Sequence, residues 1–183
     1  SAPEPGPVRA FLREFLSDRR VIEMNPFLWK PILEGIILRV RPREVSRKYR
    51  SIWLEQGSPL MHYTREQARL LGERLPGVRV EVAMRYGQLS IGAALDRLHA
   101  QGVRRVAVLP AYPHYSATTV ASINDAVCAW IGRNRDGFEM RLHRSFPASP
   151  AYINALAVAL EAHWEREGRP NFLAGERVVV SFH

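Results

Sequence analysis

Several features that mark other classes of protein are rare or missing in this sequence. Cys128 is the only cysteine among 183 residues, so no internal disulfide can form and a reducing compartment such as the cytoplasm is expected. The first seven residues carry neither the basic nor the apolar stretch of a secretory signal. The longest apolar stretch, residues 27–40, is too short to cross a bilayer and contains Lys30, Pro31 and Glu34.

Signatures of several enzyme classes are missing as well. Neither G-x-G-x-x-G nor the P-loop pattern occurs, which excludes the usual phosphate-binding loops. The six histidines lie far apart, and no cysteine or histidine pair has the spacing of a zinc site. No Ser-His-Asp order is evident and few carboxylates follow the predicted strands, which argues against a carboxylate-based hydrolase.

Positive charge is what the sequence has in excess. The formal net charge is +8, and most of the basic residues are arginines, which suit carboxylates and phosphates. A carboxylated small molecule, an anionic lipid headgroup and nucleic acid are all compatible partners, and so is a plain solvated surface. Because residues 87–96 and 109–131 contain no lysine or arginine, we do not expect a nucleic-acid partner.

The first third of the chain has helical periodicity. Apolar residues recur at helical spacing from Val8 to Leu16, and a second helix is predicted over about 42–55, ending at Gly57. Between them, residues 21–40 hold more apolar side chains than one helix face needs. They form either a helix packed on both sides or an exposed patch for a ligand or membrane. Thr64 and Gln67 match a capping box for the next helix.

From residue 78 the pattern changes to strands alternating with helices. Strands are predicted at 78–84, 106–109 and 138–142, with a buried closing strand over 178–183. Helices are predicted at 90–102, 118–133 and 149–164. This spacing is typical of βαβ units, so we predict an α/β fold with an open, doubly wound parallel sheet flanked by helices.

Polar side chains follow three of the predicted strands. Arg85 and Tyr86 come after the first, the loop 112–119 after the second, and His183 ends the last. Because the carboxyl ends of parallel strands meet at one edge, these residues would line one cleft. Arginine, aromatic rings and hydroxyls favour a flat or aromatic acidic ligand. His183 could serve as a base near pH 7 or a metal ligand, or simply cap the strand in water.

Seven short segments, in order over essentially the whole chain, resemble the ferrochelatases. They are FLREFLSD at 11–18, WKPIL with GIIL at 29–38, YRSIW at 49–53, GSPL at 57–60, MRYG at 84–87, YPHYS at 112–116 and SFH at 181–183. Each segment alone is weak, but seven in sequence are specific.

The resemblance implies an enzyme that inserts ferrous iron into a porphyrin, either protoporphyrin IX or coproporphyrin III, at the end of haem synthesis. It implies two Rossmann-like lobes around a porphyrin cleft, in which His183 takes pyrrole protons or meets the metal. Seven further residues would contact the porphyrin or line its cleft: Arg41, Tyr49, Ser58, Arg85, Tyr86, Tyr112 and Thr118.

The same resemblance predicts how the chain is organised. Residues 1–183 would form the N-terminal lobe, with a helical lip over 1–57 and a βα-repeat sheet over 58–183. The family also has a strand before the segment that starts at Ser1 and a second lobe after His183, so the chain alone is expected to have little or no chelatase activity. Ala117 stands where some relatives carry a cluster-ligating cysteine, so no iron–sulfur cofactor is expected and iron is a substrate.

Three other readings remain open from the sequence. The chain could be a porphyrin- or haem-binding module without catalysis, or a related chelatase for another metal or tetrapyrrole. It could also be a basic α/β domain that binds nucleic acid, although this is the less favoured reading. The lip segment 21–38 could in addition rest on a membrane surface, where Lys30 and Arg39 would meet anionic headgroups.

Overall fold

Helices dominate the computed structural model, which describes residues 3–180. Two π-helical turns, Leu33–Ile37 and Ala117–Ala121, lead directly into helices, and a 3₁₀ turn, Phe172–Ala174, follows the last one. In chain order the regular elements are α1 Pro5–Ser17, α2 Pro26–Ile32, α3 Leu38–Arg50, α4 Pro59–Arg74, α5 Ile91–Ala100, β1 Arg105–Val108, α6 Ser122–Ile131, β2 Glu139–Leu142 and α7 Pro150–Glu167.

The strands β1 and β2 form a parallel pair. Val106 lies opposite Met140 and Val108 opposite Leu142, and the connection between the strands contains α6. A parallel pair needs such a crossover, since its strands run in the same direction. The predicted strands near 106–109 and 138–142 are therefore confirmed, and so is the α/β class.

The sheet is smaller than predicted. Residues 78–83 have no strand pairing, and Met84 makes only an isolated bridge to Ser90. Val179 and Val180 are 87% and 70% exposed, so the prediction of a buried strand is wrong for 178–180. Residues 181–183 lie outside the described residues. Alternating or β-branched residues favour a strand, but its stability comes from a neighbouring strand, which the side-chain pattern does not supply.

Two helix starts also differ from prediction. The helix α3 begins at Leu38 rather than near Pro42, because Leu38 is buried in a core with α1 and this packing outweighs the proline signal. The helix α4 begins at Pro59 with Ser58 as its N-cap residue. Thr64 thus lies inside α4 and donates to the Leu60 carbonyl at 2.7 Å, so the predicted capping box is wrong.

The buried apolar residues form two cores. In the first core, the α1 residues Val8, Leu12 and Leu16 pack with Leu33 and Leu38. The second core packs α5 and α6 over the sheet, with Ile91, Leu95, Val127 and Trp130 buried. Burial of such side chains is the main favourable term in folding. Asp18 follows α1 of the first core, and Ser122 is the first residue of α6 of the second core. Their side chains are hydrogen-bonded, so this junction is the place to look for a site.

The apolar segment between α1 and α3 is only partly buried. Leu33 and Leu38 are buried, whereas four neighbours form an exposed group that we call the apolar patch: Phe27, Leu28, Ile36 and Val40. Phe27 is 88% exposed. The expectation that part of this segment is exposed is confirmed for these four residues. Within residues 3–180, no helix has both the length and the hydropathy needed to cross a membrane.

Candidate functional site

A buried carboxylate organises the polar residues at the junction of the two cores. The Asp18 side chain is 6% exposed. Its Oδ2 accepts hydrogen bonds from Arg85 Nη2 at 2.7 Å, from the Tyr86 hydroxyl at 2.8 Å and from the Ser122 hydroxyl. Its Oδ1 accepts from the Arg20 amide at 2.8 Å. We call Asp18, Arg85, Tyr86 and Ser122 the Asp18 cluster.

Local sequence explains why the carboxylate faces this junction. Asp18 is the C-cap residue of α1, and its backbone is extended there, with φ −72° and ψ 124°. Its carbonyl accepts from the amides of Val21 and Ile22 at 3.0 and 2.9 Å, while its side chain accepts from the Arg20 amide. Aspartate suits such a position because its short side chain can bond the backbone two residues on.

Arg85 is held from two sides. Its Nε donates to the Ser122 carbonyl at 2.9 Å and to the Ser122 hydroxyl at 2.6 Å, while Nη2 pairs with Asp18. Its guanidinium stacks 4.8 Å from the centroid of the Tyr86 ring. That ring in turn meets Phe11 and Phe15 edge-on, at 6.1 and 5.5 Å between centroids. The first apolar core therefore supports the guanidinium through Tyr86.

The turn after Tyr86 requires a glycine. Gly87 has φ +87°, a conformation that side chains with a Cβ rarely adopt. Its amide donates to Glu14 Oε2 at 2.8 Å, which ties the turn to α1 a second time. The segment 84–87 is thereby fixed against α1 although it belongs to no extended strand.

The cluster perturbs the pKa of two of its members. Burial by itself would raise the pKa of the Asp18 carboxyl, but the hydrogen bonds from Ser122, the Arg20 amide and Tyr86, with the charge of Arg85, hold that pKa below its usual range. Burial raises the pKa of Tyr86 to about 12, and the neighbouring Asp18 adds to the effect. At neutral pH the site therefore contains an ionised carboxylate, a guanidinium and a neutral phenol.

The loop after β1 carries two more of the predicted residues. Tyr112 is 44% exposed, and Thr118 is exposed in the π-helical turn that leads into α6. The Ser116 hydroxyl lies 3.0 Å from the Thr118 hydroxyl and 2.7 Å from that of Thr119. Because Ser122 directly follows this turn, the contacts of the Asp18 cluster fix the point where the turn ends.

The structure brings some predicted residues together and not others. Arg85 and Tyr86 share the Asp18 cluster, and Tyr112 lies in the same loop as Thr118. Within residues 3–180, no hydrogen bond or ion pair joins Arg41, Tyr49 or Ser58 to these four residues. Arg41 is exposed on α3, and Tyr49 packs half-buried against the first core. Ser58 is the half-buried N-cap residue of α4. His183 lies outside the described residues.

Sequence reasoning missed Asp18 and Ser122 as members of the site. Asp18 ends one of the seven motifs, and Ser122 starts α6, but 104 positions separate them in sequence. No local pattern announces a contact over that distance. The one available signal was an acidic residue at the end of a helix that is otherwise apolar on one face.

The described part of the chain offers no ready metal site. Within residues 3–180, no three histidine, cysteine, aspartate or glutamate side chains lie close enough to hold a metal ion together. The residues that do gather at the junction are a carboxylate, a guanidinium, a phenol and a serine hydroxyl. Of these, the guanidinium and the phenol ring are the groups suited to an acidic aromatic ligand.

Comparison with known proteins gives one consistent result. The family model described as Ferrochelatase matches residues 1–183. Ferrochelatase 1 of Shewanella oneidensis is 45% identical over 186 residues, which is 99% of this chain and 54% of that protein. The ferrochelatase of Methylibium petroleiphilum is 48% identical over 185 residues, which is 99% of this chain and 50% of that protein. That of Yersinia enterocolitica is 42% identical over 182 residues, covering 100% and 55%.

The chain thus spans about half the length of the curated relatives that it matches. The seven motifs noted in the sequence lie within the matched region, which includes the residues of the Asp18 cluster.

Proposed function

Since the chain belongs to the ferrochelatase family, we propose that it acts as one lobe of an enzyme that inserts ferrous iron into a porphyrin during haem synthesis. Protoporphyrin IX and coproporphyrin III are the two substrates that fit this proposal. The observation that carries it is the match over all 183 residues, with relatives 45% and 48% identical along 99% of the chain.

The residues of the junction have the chemistry that such a substrate needs. A porphyrin is flat and aromatic and carries carboxylates, so it calls for cations and rings. Arg85 and Tyr86 supply both on one wall of the proposed cleft, and Tyr112 and Thr118 on the neighbouring loop are exposed. Arg41, which is also exposed, would pair with a porphyrin carboxylate as a planar, bidentate donor.

Tyr49 and Ser58 have weaker support as direct contacts. Tyr49 packs half-buried against the first core, so only part of its ring remains for a ligand. Ser58 is half-buried, and its hydroxyl makes no capping bond, which leaves it available to a substrate. Both remain members of the proposed porphyrin site. Ser58 is the stronger candidate of the two, because its hydroxyl can form a hydrogen bond with the substrate.

Metal insertion requires the removal of two pyrrole N–H protons from the free-base macrocycle. In the proposed reaction His183 accepts such a proton or meets the incoming metal, because an imidazole can be a neutral base near pH 7. Iron is a substrate in this scheme, and the lobe uses no resident cofactor or iron–sulfur cluster. We also predict that the chain on its own has little or no chelatase activity.

The finer architecture is part of the same proposal. We assign the α/β fold to the Rossmann-like type, with a helical lip over residues 1–57 and a βα-repeat sheet over 58–183. The α6 crossover between parallel strands supports this assignment. A cytoplasmic location is consistent with the lone cysteine.

The apolar patch suggests that the lip rests on a membrane surface. Phe27 and Leu28 are 88% and 66% exposed, Ile36 and Val40 59% and 67%, and Lys30 beside them is exposed. Apolar side chains next to a cation suit the boundary between headgroups and acyl chains. Recovery of all the protein in the supernatant after sedimentation with vesicles that contain anionic lipid, at low ionic strength, would contradict this part of the proposal.

A porphyrin titration tests the binding step. The Soret band of a dicarboxylic porphyrin is followed as the full-length protein is added, with Arg41→Ala, His183→Ala and a control, Arg65→Ala, which removes another exposed helical arginine. We expect saturable 1:1 binding that weakens in Arg41→Ala and survives in the other two variants. Absence of saturable binding, or equal weakening by Arg41→Ala and Arg65→Ala, would contradict the proposed site.

A further inference from the structure

We propose that Asp18 is a positioning residue for the porphyrin site: with Ser122 it fixes the Arg85 guanidinium so that its remaining N–H groups face an acidic ligand. This inference rests on the proposed function and adds to it a residue that does not itself touch the substrate. The argument uses the donor count of the guanidinium, the cost of burying Asp18, and the elements that meet there.

The donors of Arg85 divide into two groups. A guanidinium has five N–H groups, one on Nε and two on each terminal nitrogen. Nε is used by Ser122, and Nη2 donates to Asp18 at 2.7 Å. Nη1 makes no hydrogen bond within residues 3–180, while 29% of the side chain remains exposed. The guanidinium is thus held along one edge, and its other donors remain for a ligand.

A buried carboxylate is a costly means of support unless it is needed as a charge. Removing an ionised group from water is unfavourable unless it is paired and hydrogen-bonded. Asp18 meets that condition with four donors: the Arg85 guanidinium, the Tyr86 and Ser122 hydroxyls and the Arg20 amide. A neutral residue of the same shape could accept one hydrogen bond from the arginine but could not balance its charge, which distinguishes positioning by charge from simple packing.

The cluster also joins three parts of the proposed cleft. Asp18 ends α1, Arg85 lies in the turn 84–87, and Ser122 follows the π-helical turn that carries Thr118. The helix α2 is tied to the same place, since its Trp29 Nε1 donates to the Leu16 carbonyl at 2.7 Å, two residues before Asp18. A change at Asp18 should therefore reach the porphyrin through Arg85.

Asp18→Asn removes the charge and keeps the shape. We expect it to weaken porphyrin binding by about ten- to a hundredfold, the range of one hydrogen bond to a charged group. The matched control is Asp125→Asn, because Asp125 also pairs with an arginine, Arg20, at 2.7 Å, but on the exposed surface of α6. That control should change the affinity by less than about twofold, in keeping with an exposed ion pair.

A double variant separates positioning from a general structural effect. If Asp18 acts through Arg85, Asp18→Asn should weaken binding in the wild-type background but have almost no further effect in Arg85→Ala. An equal loss in both backgrounds, or no loss in wild type, would overturn the inference. Failure of the wild-type full-length protein to bind porphyrin would instead overturn the proposed function.

A second measurement needs no ligand, and its deciding comparison, within the wild-type protein, needs no variant at Asp18. The Arg85 Nε–H resonance, identified by its loss in Arg85→Lys, should exchange with water at least tenfold more slowly than that of the exposed Arg65, because Ser122 accepts its hydrogen bond. Where Asp18→Asn folds, the exchange should accelerate. An Arg85 Nε–H that exchanges in wild type as fast as that of Arg65 would overturn the inference even if Asp18→Asn does not fold.

Discussion

Two fully buried serines allow a direct test of how much the Asp18 cluster contributes to stability. Ser122 is 0% exposed, and its hydroxyl donates to Asp18 and accepts from Arg85 Nε at 2.6 Å. Ser46 is 1% exposed, and among residues 3–180 the Pro3 carbonyl is the one hydrogen-bond partner of its hydroxyl. Replacing either serine by alanine removes one oxygen from an equally buried position, so the two variants differ in the partners that are lost.

The expected losses follow from those partners. A hydrogen bond to a charged group contributes about 1.5 to 3 kcal/mol and a neutral one about 1 kcal/mol. Ser122→Ala removes two bonds to charged groups that share one network, so we expect a loss of about 3 kcal/mol in the free energy of unfolding. Ser46→Ala should lose about 1 kcal/mol.

Urea unfolding followed by tryptophan fluorescence measures both losses. The comparison holds if the dependence of the free energy on urea concentration is the same in the two variants, since a changed slope would mean a changed unfolded or native state. Equal losses, or a larger loss for Ser46→Ala, would refute the view that the charged groups of the cluster make Ser122 the more costly position.

Three further outcomes are expected. The pKa of Asp18 is lowered in the folded state, so the stability that its carboxylate contributes is complete above the ordinary carboxyl pKa of about 4 and is lost as pH falls through the folded-state pKa. The Tm difference between wild type and Asp18→Asn should therefore shrink as the pH is lowered through the folded-state pKa. Trp130→Ala should cost about 3 to 5 kcal/mol in urea unfolding, and Trp130→Phe clearly less, because Phe keeps one aromatic ring in the core and leaves a smaller cavity, although it also loses the 2.7 Å bond to Asp96; equal costs would contradict this packing argument. Phe27→Asp should reduce sedimentation with vesicles that contain anionic lipid, while Leu173→Asp, at a fully exposed position outside the apolar patch, should not; reduction by both would count against the patch.

Elements with local start and stop signals could be predicted from the sequence. The helix α5 has Ser90 as its N-cap, with the Ser90 hydroxyl accepting from the Ala93 amide at 3.2 Å, and the chain turns at Gly102 with φ +75°. The helix α1 and the strand pair β1 and β2 were also predictable, because their apolar residues repeat with the right period. These signals act over a few residues, so the surrounding fold does not need to be known.

Pairing was not predictable in the same way. Residues 78–83 and 178–180 have the composition of strands, but a strand forms only when a neighbour supplies its hydrogen bonds. Val179 at 87% exposure shows that β-branched sequence does not by itself bury a segment. Similarly, Pro42 marked a helix start by local rules, whereas burial of Leu38 in the first core extended α3 upstream of it.

The candidate site was half predictable. Arg85 and Tyr86 could be named because they follow a strand-like segment and belong to a motif. Their use could not be foreseen, since the partners of Arg85 are 67 positions away at Asp18 and 37 positions away at Ser122. Arg85, which was expected to contact the porphyrin or line its cleft, is held by two side chains that have no local signature.

The most direct test of the proposed chemistry is the rate of iron insertion by the full-length protein carrying His183→Ala. Formation of the metalloporphyrin from ferrous iron and free-base porphyrin is followed under anaerobic conditions, alongside porphyrin affinity. The account predicts that the wild type turns over, and that His183→Ala binds porphyrin with nearly unchanged affinity but loses most of its turnover. No turnover by the wild type, or turnover by His183→Ala at the wild-type rate, would contradict it.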